Sequence, residues 1–514
     1  MPKEIPTTQR ALVLQGGGAL GAYEAGVFDV LYYWIKKDLK GSEKNVFDIV
    51  AGTSIGAING ALLVSHVKQK GSWEGSSDKL KEFWTDIGIK TRIENDPFYI
   101  TRWKSHHRMD SDCASVEQAR RYYSARQFIL SGADKVFSAP QSHLQYRFFD
   151  PSSLFNKWYQ YDNSKLRQLI KDKAHFPIGT SDKNHIPRLL ALSVDIEEAE
   201  VVTFDSYTGK SEYGYNEETG KYQQVKYDQG LMVEHIMASA SVPIHYDFEL
   251  VPKNYDYTSS KEEREAKLKE DLQRNNLEDH LRFWDGGISS NTPLRELIQA
   301  HQDYWSEVKH AEKVPDLEVY VVDVWPWMKK GKYPIRSDYD SIINRKNELT
   351  YQDKTEYEER VANIVSDYYN LANLLIGLAK NKGATERDID AILDKDAKST
   401  HRTGKDYGER RKYRNLLDKR FDIGKLIRIE RSGDDDISNK WCDFSSGTIS
   451  NLLKQGVEDA LNTLVKDVKE AKGIQAAYDQ IDAFINEIKK QNEDQNANLI
   501  EAAENIKASL DQLK

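Results

Sequence analysis

Ser54 stands in Gly52-Thr53-Ser54-Ile55-Gly56, a G-x-S-x-G spacing set between a short apolar run and a helical pattern of small residues. In that setting a serine can occupy a sharp strand-to-helix turn as a nucleophile. The flanking glycines let the backbone pass closely. The helix start aims N–H groups and a positive dipole end back at the serine. A second stretch, Gln15-Gly16-Gly17-Gly18-Ala19-Leu20-Gly21, follows another apolar run and opens another helical pattern. Its N–H groups can turn inward on an anion, either a phosphate or the oxyanion of an ester under attack. A third, Asp285-Gly286-Gly287-Ile288-Ser289-Ser290-Asn291-Thr292-Pro293, can point a carboxylate into a cleft from a strand end. Each has a plainer reading alone: a tight turn, a helix entry, a capping turn.

The elements that must position these groups alternate between strand and helix. Ala11–Leu14 reads as a buried strand, and Leu20, Val27, Val30, Leu31, Trp34 and Ile35 mark a helix to about Lys37. Phe47–Ala51 is the strand into the serine, and its helix ends near Lys70. Gly16, Gly18 and Gly21 also match the dinucleotide spacing G-x-G-x-x-G. That reading needs a second strand ending in an acid about 20 residues on. Asp38 instead falls at the polar end of the first helix, and the next strand runs straight into Ser54. Arg188–Asp195 is a buried strand with Glu200–Asp205 beside it. Val233–Ala240 is helical into Ala238-Ser239-Ala240, and Pro243 ends it. Leu317–Val324 is a further strand.

Residues 71–150 are polar and aromatic with weak periodicity, apart from a helix at Ser115–Leu130, and read as an insertion able to act as a lid. Its His106, His107, Asp110, Asp112 and Cys113 lack metal-site spacing. Glu262–Glu278 is dense in charge, as a solvated helix or loop is. Beyond Ser337 helical patterns dominate. One spans Tyr369–Lys380 with Leu371, Leu374, Leu375 and Leu378, Leu426–Glu430 is a candidate edge strand, and Phe444–Val468 is amphipathic. Ile474, Tyr478, Ile481, Ile485 and Ile488, then Leu499, Ala503, Ile506, Leu510 and Leu513, form a seam broken at Gln491–Asn496. Such a seam suits a helical hairpin or a partner-facing helix.

The totals narrow the classes. The chain has 514 residues, 39% hydrophobic and 30% charged, with net charge −9. Nucleic-acid binders carry a basic footprint, so no nucleic-acid partner is expected. Two distant cysteines, Cys113 and Cys442, argue for a reducing compartment and against a disulfide framework. Met1–Arg10 has no apolar leader core and no run reaches 18 apolar residues, so a cytoplasmic location is expected.

Taken in order, the glycine loop, the serine elbow and Asp285-Gly286-Gly287 with Asn291 and Pro293 resemble the patatin-like phospholipases, as does Ala238-Ser239-Ala240 with Pro243. Leu20 departs from the family's frequent Arg or Lys in the glycine loop, which removes a fixed positive charge there. The resemblance implies an α/β three-layer patatin-like fold with a mainly parallel central sheet and a mostly α-helical C-terminal extension. The hydrolase domain would span 1–330, the helical extension 331–440, a core-completing helix 441–472 and a coiled-coil-like tail 473–514. It implies a Ser54–Asp285 dyad, an oxyanion hole at Gly16, Gly17 and Gly18, and support from Gly21, Gly52, Gly56, Gly286 and Gly287, with no metal and no cofactor. A triad would instead draw on His301 or His310; His235 and His245 read as packing or pocket residues. The implied activity is hydrolysis of carboxylic esters in phospholipids or related acyl lipids. Acyl transfer on the same dyad is an alternative. So is a non-catalytic nucleotide-binding or scaffold protein. The expected partners are an acyl-lipid substrate, a transient membrane surface, and a second copy through the C-terminal helices.

Overall fold

The computed structural model describes residues 5–39, 46–91, 116–139, 159–183, 185–207, 227–259, 261–274, 277–325, 339–400, 408–432, 439–491 and 496–512. Among them eight strands form one mixed sheet: β1 (Thr8–Leu14), β2 (Ile49–Thr53), β3 (Arg188–Asp195), β4 (Glu200–Asp205), β5 (Glu249–Pro252), β6 (His280–Asp285), β7 (Asp316–Asp323) and β8 (Ile423–Glu430). Their spatial order is β8-β7-β1-β2-β3-β6-β5, with β4 also pairing β3. The run from β8 to β3 is parallel, and β4, β5 and β6 are antiparallel additions.

Strands covered on both faces read as continuous apolar runs, as Ala-Leu-Val-Leu in β1 does. Alternate residues of β1 enter opposite cores. Leu12 and Leu14 pack into the larger one, and Ala11 and Val13 into the smaller. The larger core is covered by α1 (Gly21–Leu39), α2 (Ile55–Lys70) and α3 (Ser76–Ile87). Farther along lie α4 (Val116–Ser131), α5 (Ser164–Lys173), α6 (Val233–Ser239), α7 (Lys261–Arg274) and α8 (Leu294–Asp303). Leu294 and Leu297 of α8 fill the smaller core. The arrangement is the three-layer α/β sandwich that the resemblance implies.

One expectation changes. Ser76–Ile87, assigned to the insertion, is a core helix: Leu80, Phe83, Trp84 and Ile87 are buried against α1 and α2. Five charged side chains among its twelve residues hide that face in the sequence. The group from His106 to Cys113 lies outside the described residues, whereas residues 116–139 of that insertion are described and carry α4 where a helix is expected over Ser115–Leu130. The candidate edge strand Leu426–Glu430 lies within β8, which pairs in parallel with β7 at one edge of the sheet, so the stretch 331–440 contributes a strand to it. Between β7 and β8 run α9 (Tyr339–Tyr351), α10 (Glu356–Asn381) and α11 (Glu386–Leu393).

The closing helices α12 (Ser446–Lys472), α13 (Ile474–Gln491) and α14 (Ala497–Asp511) pack on the core. Ile449, Leu452, Leu461 and Leu464 of α12 are buried against it. The tail seam is spent in the same way. Ile481, Phe484, Ile488, Ala503 and Leu510 are buried, with Phe484 5.7 Å from the Trp34 ring. Asn496 Nδ2 donates to the Tyr33 hydroxyl at 3.2 Å. Those seam positions are spent on this chain's own core. Among the described residues no helix is long and apolar enough to cross a membrane.

Candidate active site

The sheet register brings the chemistry together. Thr53, the last residue of β2, lies opposite Leu192 of β3, and Asp285, the last of β6, lies opposite the next residue, Ser193. Ser54 and Asp285 thus leave the sheet two strands apart, roughly 10 Å by backbone spacing, which two converging side chains can span. Thr53 Oγ1 donates to the Ser290 carbonyl at 2.9 Å and ties the elbow to the Asp285 loop.

Ser54 has φ 56° and ψ −121°, outside the regions an L-residue occupies readily. Such strain, of order 1–3 kcal/mol, persists only where surroundings fix it, and it clusters at active sites. Here Ser54 N–H donates to Ser239 Oγ at 2.9 Å, and the Ser54 carbonyl accepts from Ala57 and Ile58 at 3.0 and 3.2 Å. The turn closes only without side chains at its flanks. A Cβ at Gly52 would lie 2.3 Å from the Gly56 carbonyl oxygen, and one at Gly56 would lie 2.3 Å from the Leu14 oxygen. Ser239 was legible only as one of several small residues. The 185-residue separation hides its role as acceptor.

The glycine loop lies against the elbow, close enough that a Cβ at Gly16 would stand 3.1 Å from Ser54 Cβ. Two distant side chains hold it. Asn291 Nδ2 donates to the Gly16 carbonyl at 3.1 Å and also to the Tyr351 carbonyl at 2.6 Å. Gln15, fully buried, donates to Thr292 Oγ1 at 2.9 Å and accepts from the N–H groups of Val324 and Trp325 at 2.8 and 2.7 Å. The expectation that three glycines offer free donors is corrected for Gly16, whose N–H donates to the Asn291 carbonyl at 3.1 Å. Among the described residues the N–H groups of Gly17 and Gly18 have no acceptor.

Asp285 is 3% exposed and Ser54 8%. Burial pushes the Asp285 carboxyl up to about 7, and the Ser54 hydroxyl and the Gly287 N–H only partly offset it. Oδ1 accepts from Gly287 N–H at 2.7 Å, while Oδ2 has no partner at full hydrogen-bond geometry. The Ser54 hydroxyl is near enough to the carboxylate to favour its charge.

Ser54, Asp285 and Gly16–Gly18 line one narrow cavity with about 90 Å3 of water-accessible space. Its walls are apolar: Ile55, Ile58, Phe83, Ile87, Val136 and Phe444. Tyr351, Trp441 and His245 also line it. A wider polar cleft between Lys171, Glu234, Arg264 and His280 lies apart from this one. His301 is buried outside the cavity, its Nε2 2.8 Å from the Pro315 carbonyl and its ring against Phe421. Burial lowers its imidazole to about 4. His310 is exposed and also outside the cavity. His235 is buried with Nδ1 accepting from Met232 N–H at 2.8 Å. His245 is in the cavity wall, stacked on Trp441 at 4.6 Å and bonded to Gln160 at 3.0 Å. Among the described residues no group of three or more His, Cys, Asp or Glu is placed to hold a metal.

A family model for patatin-like phospholipase matches residues 12–298, more than half the chain. No curated protein matches it. Among solved structures it is similar to VipD from Legionella pneumophila, at 11% identity and TM-score 0.25, covering 98% of this chain and 88% of that one. It is also similar to the heterodimeric complex ExoU–SpcU from the type III secretion system of Pseudomonas aeruginosa, at 13% identity and TM-score 0.23, covering 98% and 90%.

Proposed function

Since this chain belongs to the patatin-like phospholipase family, we propose that it is a lipid acyl hydrolase that cleaves carboxylic esters through an acyl-Ser54 intermediate. The observation that carries the reading is a strained serine beside a buried carboxylate at the floor of an apolar cavity. Apolar walls suit an acyl chain, and the loop N–H groups suit the charge that develops at its ester.

Ser54 Oγ attacks the ester carbonyl carbon while its proton passes to Asp285 Oδ2. An ordinary aspartate is a weak base for this step. Burial that lifts Asp285 to about 7 brings its basicity nearer the working range. The tetrahedral oxyanion is held by the N–H groups of Gly17 and Gly18, with the positive end of α2 behind Ser54. Each such donor is typically worth about 3 kcal/mol of barrier. The protonated Asp285 gives its proton to the departing alcohol. Water then attacks the acyl-Ser54 carbonyl as Asp285 takes its proton; the bond from the acyl carbon to Ser54 Oγ breaks, Asp285 returns the proton to Oγ, and the fatty acid leaves.

The test is product analysis on mixed phospholipid vesicles. Wild type should release fatty acid and lysolipid, and Ser54→Ala should release neither. Equal release by both would overturn the reading. Product appearing on an added alcohol acceptor instead of as free acid would assign the same dyad to acyl transfer.

A further inference from the structure

α10 is docked with its polar side inward. The Ser366 hydroxyl accepts from Ile423 N–H at 3.1 Å, Asn370 Nδ2 donates to Asp422 at 3.1 Å, and Glu359 pairs with Arg428 at 2.8 Å. The opposite side carries Val361, Ile364, Tyr368, Leu371, Leu375 and Leu378, each 38% to 69% exposed. Their spacing is 3-4-3-4-3, and Tyr357, 73% exposed, extends it by one step of four. A surface helix ordinarily buries its apolar stripe against its own core. Here the stripe faces outward, at the 3.5-residue period by which one helix packs along another.

We propose that this chain forms a two-fold dimer through α10, with the two helices antiparallel. Pairing Tyr368 with Leu371 of the other copy also pairs Ile364 with Leu375 and Val361 with Leu378, so the seam is self-complementary. Antiparallel alignment sets the acidic first turn, with Glu356 and Glu358, beside Lys380 and Lys382 of the other copy. It also opposes the two helix dipoles. Parallel alignment would place like charges together. At roughly 150–200 Å2 per large apolar side chain, the exposed fractions of the stripe come to about 600–800 Å2 per copy, close to one partner's share of a standard interface. A lipid surface fits less well, because Glu356, Glu358, Glu359 and Asp367 lie on this helix of a chain with net charge −9. The dimer stands independently of the hydrolase reading.

Light scattering on the full chain during size exclusion tests it. Wild type should run at twice 59.1 kDa. Leu371→Asp with Leu375→Asp should run at 59.1 kDa with unchanged circular dichroism and ester hydrolysis. Wild type at the single-chain mass over a wide concentration range overturns the proposal. For direction, Val361→Cys protein mixed with Leu378→Cys protein should cross-link under mild oxidation, and Val361→Cys alone should not. Cross-linking only in Val361→Cys alone would reject the antiparallel pairing. Single chains that bind phosphatidylserine vesicles through Leu371 and Leu375 would replace the second copy with a membrane.

Discussion

Glu24 and Asp285 are both buried carboxylates near the glycine loop, and their surroundings differ in one respect. Burial raises both above the ordinary carboxyl range. Glu24 accepts from Asn59 Nδ2 at 2.8 Å and is also approached by the Gln15 N–H, while Asn59 in turn accepts from Trp84 Nε1 at 3.0 Å. This cluster is buried behind the loop, and Glu24 is not among the residues lining the cavity that holds Ser54. Asp285 opens onto the cavity that holds Ser54. Burial tunes both groups, but only access to a reacting atom turns a tuned group into a base.

The comparison breaks first at the serine. Ser54→Ala should lower turnover about ten-thousandfold or more at unchanged fold, read by fatty-acid release. Asp285→Asn should cost about a thousandfold or more, because the amide cannot take the Ser54 proton. In wild type, log kcat/KM should rise with pH to a plateau above about 7, tracking deprotonation of Asp285. The same shift has a stability sign. Folded Asp285 holds its proton to about 7 and unfolded Asp releases it near 3.9, so stability falls as pH rises between those values and stays reduced above them. Asp285→Asn should therefore gain up to about 4 kcal/mol over wild type at pH 9 and little at pH 4, by denaturant unfolding.

Ser239→Ala removes the acceptor of the strained Ser54 N–H, which should cost about 1–3 kcal/mol of stability and slow turnover by roughly tenfold. The smallest effect belongs to Glu24→Gln. The amide can keep the contact with Asn59 and lies away from Ser54, so stability should move by less than about 1 kcal/mol and the limb near pH 7 should stay. Loss of that limb in Glu24→Gln would reverse the two roles.

The parts that could be read from the sequence were those carried by local spacing. Glycines at Gly52 and Gly56 mark the elbow because the turn admits no side chain, and Asp285-Gly286-Gly287 marks the facing loop for a related reason. Contacts between distant segments were not legible. Gly16 N–H was expected in the oxyanion hole, and only folding shows the Asn291 carbonyl already bound to it. The charged Ser76–Ile87 concealed a core face of four large side chains. The helical pattern around Leu371 and Leu378 was visible, but periodicity does not say which side of a helix the core will take.

The central claim is that Ser54 is the nucleophile and Asp285 its base. The most direct measurement is intact-mass and peptide mapping after brief exposure of the whole chain to a fluorophosphonate. Wild type should carry one adduct, on Ser54, with labelling much slower in Asp285→Asn and absent in Ser54→Ala. An adduct on another serine, or Ser54→Ala labelled as fast as wild type, would contradict it.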